Sequence, residues 1–141
     1  MEAMERKVRE SFSRQPFMAK LGAVMTLVCP GSVEIELPFD PSLTQQNGFV
    51  HAGAISSILD SACGYAALTL APEECDVLTV EFKTNLMAPA IGKRFVARSQ
   101  AKRAGRTLTV VTADAFEAGK AERPIATMQA TVMTIHPEVK K

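Results

Sequence analysis

The 141-residue chain has no tryptophan and one tyrosine, and seven phenylalanines supply the rest of its aromatic content. So few flat side chains leave little for base stacking, and the net charge of +1 is reached without any block of like charge. A dedicated nucleic-acid binder needs a basic face and stacking platforms, so that class is not expected. Cysteine is scarce too. Cys29, Cys63 and Cys75 are odd in number and show no Cys-x-x-Cys spacing, which argues against a disulfide framework. They read as small core residues in a reducing compartment, and Cys63 as a nucleophile would need a base beside it. Also missing is any run of about 18 strongly apolar residues, the length of a membrane span. The opening MEAMERKVRESFSRQPF places charges where a secretory signal needs an apolar stretch. No metal and no membrane are expected as partners, and the expected location is the cytoplasm.

What is present is organised simply, as one domain over residues 1–141. Residues 1–16 predict an N-terminal helix, with Met4, Val8 and Phe12 four apart on one face and Pro16 ending or redirecting it. A strand is expected over 21–28, then a Pro30-Gly31 turn and a second strand over 33–37, where Val33, Ile35 and Leu37 alternate with glutamates. A long loop to Val50 precedes a central helix over 53–70, closed by Pro72. Four strands follow in a meander: 78–86, 95–102, 108–116 and 125–135. In the first of these, Leu78, Val80, Phe82, Thr84 and Leu86 alternate with Thr79, Glu81, Lys83 and Asn85. Strands on both sides of one apolar helix predict an α+β fold, a curved antiparallel sheet of five to six strands wrapped around that helix.

The central helix holds the chemistry. From Val50 to Pro72 it carries a single charge, Asp60, and a carboxylate among apolar residues is costly to desolvate. Steps of three, four and seven from Asp60 reach Gly53, Ser56, Ser57, Cys63, Gly64 and Ala67, all small. The other side carries Ile55, Ile58, Leu59, Ala62 and Ala66 for packing on the sheet. Two readings fit this stripe: close packing with Asp60 in a buried ion pair, or a carboxylate facing substrate. Nine residues earlier, His51 sits in the turn QQNGFVHAG, where Gly48 permits a tight bend and Ala52-Gly53 opens the helix. Unpaired amides at a helix start carry partial positive charge and can polarise a carbonyl. Gln45, Gln46 and Asn47 add neutral polar groups beside them. A carboxylate two turns along from such a site suits hydrolysis of an activated acyl group.

Gln45-Gln46-Asn47-Gly48-Phe49-Val50-His51-Ala52-Gly53, followed by Asp60-Ser61-Ala62, resembles the signature of hotdog-fold acyl-CoA thioesterases of the PaaI-like group. That signature runs Asn-x-x-Gly-x-x-His-Gly-Gly, with an acid nine positions after the histidine. Thr79-Val80-Glu81-Phe82-Lys83, running to Ala88-Pro89, resembles the family's strand after the helix. The resemblance implies an acyl-CoA substrate and no separate cofactor, CoA being part of the substrate. It implies Asp60 as general base or nucleophile, the Ala52 amide as oxyanion donor, His51 as the residue orienting that turn or the substrate carbonyl, and Thr79 as a water-positioning hydroxyl. Gln45 stands where several members have asparagine, and Ala52 replaces the first glycine of the pair, placing a methyl group where the thioester approaches. Asn47 and Gly53 would contact substrate at the turn. Arg103 and Arg106 would meet the CoA phosphates, and Met25, Phe82, Leu86 and Met87 are available to shape an acyl pocket. Members are homodimers, often paired again into tetramers, whose sites combine the turn of one subunit with the acid of the other. A hotdog hydratase or dehydratase acting on enoyl thioesters, and a non-catalytic acyl-CoA-binding protein, are the alternatives.

Overall fold

A nineteen-residue helix with one charge must be covered on most of its surface, and a single sheet supplies the cover. The computed structural model describes residues 1–138, so the last three positions of the expected domain lie outside the described residues. Helix α1 spans Glu2–Ser13 and α2 spans Pro16–Leu21. Strands β1 (Val24–Cys29) and β2 (Ser32–Pro38) precede a 3-10 turn at Pro41–Leu43. The central helix α3 runs Ala52–Leu70. Strands β3 (Asp76–Leu86), β4 (Arg94–Ala104), β5 (Leu108–Glu117) and β6 (Ala126–Ile135) complete the chain. All pair antiparallel in one six-stranded sheet ordered β1-β2-β4-β5-β6-β3. Ile55, Ile58, Leu59, Ala62 and Ala66 of α3 are buried, as the helical spacing requires. Ser99 of β4, fully buried, fastens the helix to the sheet. Its hydroxyl lies 2.8 Å from the Ala62 carbonyl oxygen and accepts from the Val33 N–H at 3.1 Å. No helix among the described residues is long and apolar enough to cross a membrane.

The structure corrects the sequence reading in four places. The N-terminal helix ends at Ser13, and Pro16 opens a second helix, because proline's fixed φ suits a first helical position. Leu21 therefore ends α2 rather than beginning a strand, and β1 starts only after Gly22 turns the chain in the left-handed region at φ 75°. Cys63 and Ala67 lie in the core, so the open face of α3 is narrower than the small-residue stripe. The last four strands do not form a simple meander either. After β3 the chain crosses to β4, and β3 takes the sheet edge beside β6.

A β-bulge reshapes that edge strand. Leu78 opposes Met133 and Thr79 opposes Val132, but the register slips at Val80, so Glu81 opposes Thr131 and Phe82 opposes Ala130. Val132, Ala130, Met128 and Ala126 are the buried, helix-facing positions of β6. Thr79 thus shares the inner face with Phe82, Thr84 and Leu86, whereas strict alternation puts it outside with Glu81. Bulges re-aim side chains in this way. The edge itself stays apolar and uncovered within the chain, with Leu78, Val80, Phe82 and Leu86 each about half exposed or more.

Candidate active site

The loop before α3 is built to present a helix start. Gly48 adopts φ 85°, and the Gln45 carbonyl accepts from its N–H at 3.0 Å. The Gln45 side-chain oxygen accepts from the Asn47 N–H at 2.6 Å and the Phe49 N–H at 3.3 Å, so Gln45 organises the turn with its carbonyl end and keeps its NH2 for other partners. The His51 N–H donates to the Leu43 carbonyl at 2.8 Å, fixing where α3 begins. His51 is then the N-cap: its Nδ1 accepts from the Gly53 N–H at 2.7 Å. That bond requires an unprotonated Nδ1 and leaves the ring proton on Nε2. It also explains the glycine, since a Cβ at position 53 would lie 3.0 Å from Nδ1. The Ala52 N–H has no hydrogen-bond partner among the described residues. This amide borders a cavity of about 450 Å³ lined by Gln45, Phe49, His51, Ile55, Leu86 and Met87.

Asp60 lies elsewhere. It is half-buried on the open face of α3, and its Oδ1 accepts from the Thr79 hydroxyl at 2.8 Å. No lysine, arginine or histidine among the described residues forms an ion pair with it, so the ion-pair reading of this charge does not hold within the chain. Gly64, one turn on, faces β3 without crowding it, as a Cβ there would make only an ordinary 4.0 Å contact with the Thr79 hydroxyl. Asp60 and Thr79 border a second cavity of about 360 Å³, shared with Ser11, Gln15, Ser61 and Tyr65. The sequence reading missed these last four. Their only signal was the i, i+4 spacing of Ser61 and Tyr65 beside Asp60, because Ser11 and Gln15 arrive through the docking of α1. Cys63, one turn from Asp60, is closed to nucleophilic work. Burial chiefly, and the Asp60 charge in addition, push its thiol up to about 12.

The two halves do not meet inside one chain. Eight residues of helix separate Ala52 from Asp60, about 12 Å along the axis at 1.5 Å per residue. The cavities open at opposite ends of β3, one beside Leu86 and one beside Asp76–Thr79. Asn47 and Gly53 are exposed at the turn, and Arg103 and Arg106 are exposed around the β4–β5 turn, lining neither cavity. Of the side chains expected at an acyl pocket, Leu86 and Met87 line the Ala52 cavity, while Phe82 borders a separate groove with Lys83 and Gln129. Met25 does not belong with them: it is a core residue of β1, at the far edge of the sheet. His136, near the C-terminus, is exposed and has its Nδ1 3.2 Å from the Cys75 sulfur. Among the described residues no three His, Cys, Asp or Glu side chains are grouped to hold a metal ion.

The family description that matches residues 47–122, from the turn through α3 and β5 into the connection before β6, is the thioesterase superfamily. The chain belongs to that superfamily. A thioesterase family protein from Silicibacter pomeroyi has a crystal structure that superposes with a TM-score of 0.91 at 54% identity, covering 95% of this chain and 99% of that one. The E. coli PaaI protein from the phenylacetic acid degradation operon superposes at 0.87 over 99% of this chain and 98% of that one. At 12% identity, PaaI shows a shared hotdog fold. An esterase candidate of Saccharolobus solfataricus is 33% identical over 81 residues, which is 57% of each chain, so the match spans less than two thirds of that relative. The superfamily match begins at Asn47, inside the turn that carries His51 and Ala52, and includes Asp60 and Thr79.

Proposed function

We propose that this thioesterase-superfamily protein hydrolyses an acyl-CoA thioester to the free acid and CoA. The observation that carries the reading is a half-buried carboxylate with no cationic partner among the described residues, steered by one hydroxyl, in a chain whose helix start offers an amide unpartnered among them. Asp60 acts as general base or nucleophile. As a base it takes a proton from water while the water oxygen bonds to the thioester carbon. The carbonyl oxygen becomes an oxyanion, which the Ala52 N–H at the helix start stabilises. Collapse of this intermediate breaks the carbon–sulfur bond, and the proton held by Asp60 leaves with the CoA thiolate. Thr79 acts as a positioning residue, holding the carboxylate so that its second oxygen faces the cavity. Arg103 and Arg106 serve the CoA phosphates.

The 12 Å between amide and carboxylate calls for a second copy of the chain. An exposed apolar edge strand invites pairing. Antiparallel pairing of β3 with its copy, about a two-fold axis near Phe82, carries the Asp60 cavity of one subunit to the Ala52 cavity of the other. Leu78, Met133 and Leu108 form a cross-strand row on the outer face, and this row is available for pairing two such dimers into a tetramer. The reading is tested with Asp60→Asn on a panel of acyl-CoAs. The expected loss in kcat is about 100-fold or more, the usual contribution of a general base or nucleophile. Unchanged turnover removes Asp60 from the mechanism.

A further inference from the structure

Beyond Asp60, its cavity ends in a polar cluster with no part in bond breaking. The Gln15 NH2 donates to the Tyr65 hydroxyl at 3.1 Å, the Ser11 and Tyr65 hydroxyls lie 3.2 Å apart, and Ser61 donates to the Gln15 side-chain Oε1 at 3.3 Å. Tyr65 is 8% exposed, and its ring is held edge-on by Phe12 with centroids 5.9 Å apart. Its hydroxyl is therefore fixed at the cavity wall by packing as well as by hydrogen bonds. The cluster keeps unused capacity: a second Gln15 N–H, a second lone pair on the Gln15 oxygen, and further lone pairs on the three hydroxyls. All four side chains border the cavity. Among the described residues its two charged lining residues, Asp60 and Asp76, are both acids, and no lysine or arginine lines it.

Resting on the thioesterase reading above, we infer that this cluster reads the far end of the acyl group and selects a neutral, hydrogen-bonding tip. With its carbonyl at Asp60, a substrate sends one arm toward Tyr65. The CoA arm is polyanionic and faces two carboxylates on that side without a cation, so the acyl arm takes it. Tyr65 lies five residues past Asp60, about 7.5 Å along the helix, which a six-carbon acyl group spans. A hydroxyl at that end exchanges hydrogen bonds with Gln15 and Tyr65. A methyl there strands polar groups, and a carboxylate meets like charge.

Three CoA esters of equal length test this: hexanoyl, 6-hydroxyhexanoyl and adipoyl, which end in methyl, hydroxyl and carboxylate. The order of kcat/KM expected is hydroxyl, then methyl, then carboxylate. Tyr65→Phe keeps the ring and removes the hydroxyl, so the hydroxyl-over-methyl preference falls about five- to tenfold, the worth of one neutral hydrogen bond. Gln15→Met does the same, and Asp76→Asn raises adipoyl-CoA relative to hexanoyl-CoA. Calorimetric binding of the three esters to Asp60→Asn reads the same order without turnover. Equal effects of Tyr65→Phe and Gln15→Met on all three esters overturn the inference and leave thioester hydrolysis standing. Full turnover by Asp60→Asn instead overturns the catalytic reading beneath it.

Discussion

Replacing Ala52 with proline isolates one N–H. Proline is favoured at the first position of a helix, where the amide has no helical partner, and Ala52 is that position of α3. The residue before a proline must be extended, and His51 already is, at φ −59° and ψ 138°. The Ala52 N–H bonds to nothing among the described residues, so the substitution costs the fold no hydrogen bond. Restricting the unfolded chain then stabilises by about 0.4–1 kcal/mol, raising Tm by about 1–3 °C for a domain of this size. Catalysis responds in the opposite direction. Loss of one oxyanion donor lowers kcat about 100- to 1000-fold. Ala52→Gly keeps the N–H and separates its loss from the bulk of the proline ring. Thermal unfolding with steady-state hydrolysis of hexanoyl-CoA reads both effects. Turnover of Ala52→Pro within about threefold of the parent would refute the oxyanion role. A Tm fallen by more than about 5 °C would refute the helix-start geometry instead.

Thr79→Val leaves the Asp60 carboxylate without its hydroxyl donor and lowers kcat about 10- to 100-fold, as expected for a hydrogen bond to a charged group, while Thr79→Ser restores most of the rate. Asp60→Asn and Ala52→Pro subunits, each nearly inactive, regain about one quarter of full activity when exchanged into mixed dimers, because a site shared by two subunits leaves one intact site in half the dimers. No recovery on mixing places both groups in the same subunit's site. Cys63, with its thiol pushed up to about 12, stays unmodified by iodoacetamide at pH 8 in the folded protein and reacts on unfolding, read by mass spectrometry. Labelling of Cys63 in the folded state before the half-buried Cys29 contradicts that burial.

The parts of the molecule legible from sequence are those set by local physics. The single charge in an apolar helix, the glycine-bounded turn and the His51-to-Asp60 spacing pointed to both halves of the proposed site. Alternation found every strand within a few residues. What escaped needs partners distant in sequence. Helix α2 is six residues long, too short for a periodic signal, so its Leu21 reads as the start of the strand that follows. The bulge at Val80 is invisible locally because the residues around it alternate cleanly, and only their pairing with β6 reveals the slip. The same slip brings Thr79 to Asp60. Ser11 and Gln15 reach the second cavity through packing of α1 against α3, which no spacing along the chain encodes.

The place of β3 in the sheet also sets when the site comes into being. Its partners on β6 lie 40 to 59 residues away in sequence, from Leu86 with Ala126 to Asp76 with Ile135. The β4–β5 and β5–β6 neighbours are joined by short connections and close cheaply, whereas this pairing carries the larger loop-closure entropy. The strand bearing Thr79 therefore docks after the β4–β5–β6 hairpins, as does β2, whose partners on β4 lie 56 to 64 residues away. Until it does, Asp60 faces open water beside a half-built sheet, and the cavity has no floor. Completion of the Asp60 cavity becomes a late event of folding, and an amide-exchange experiment should find β3 opening before the strands at the sheet's centre.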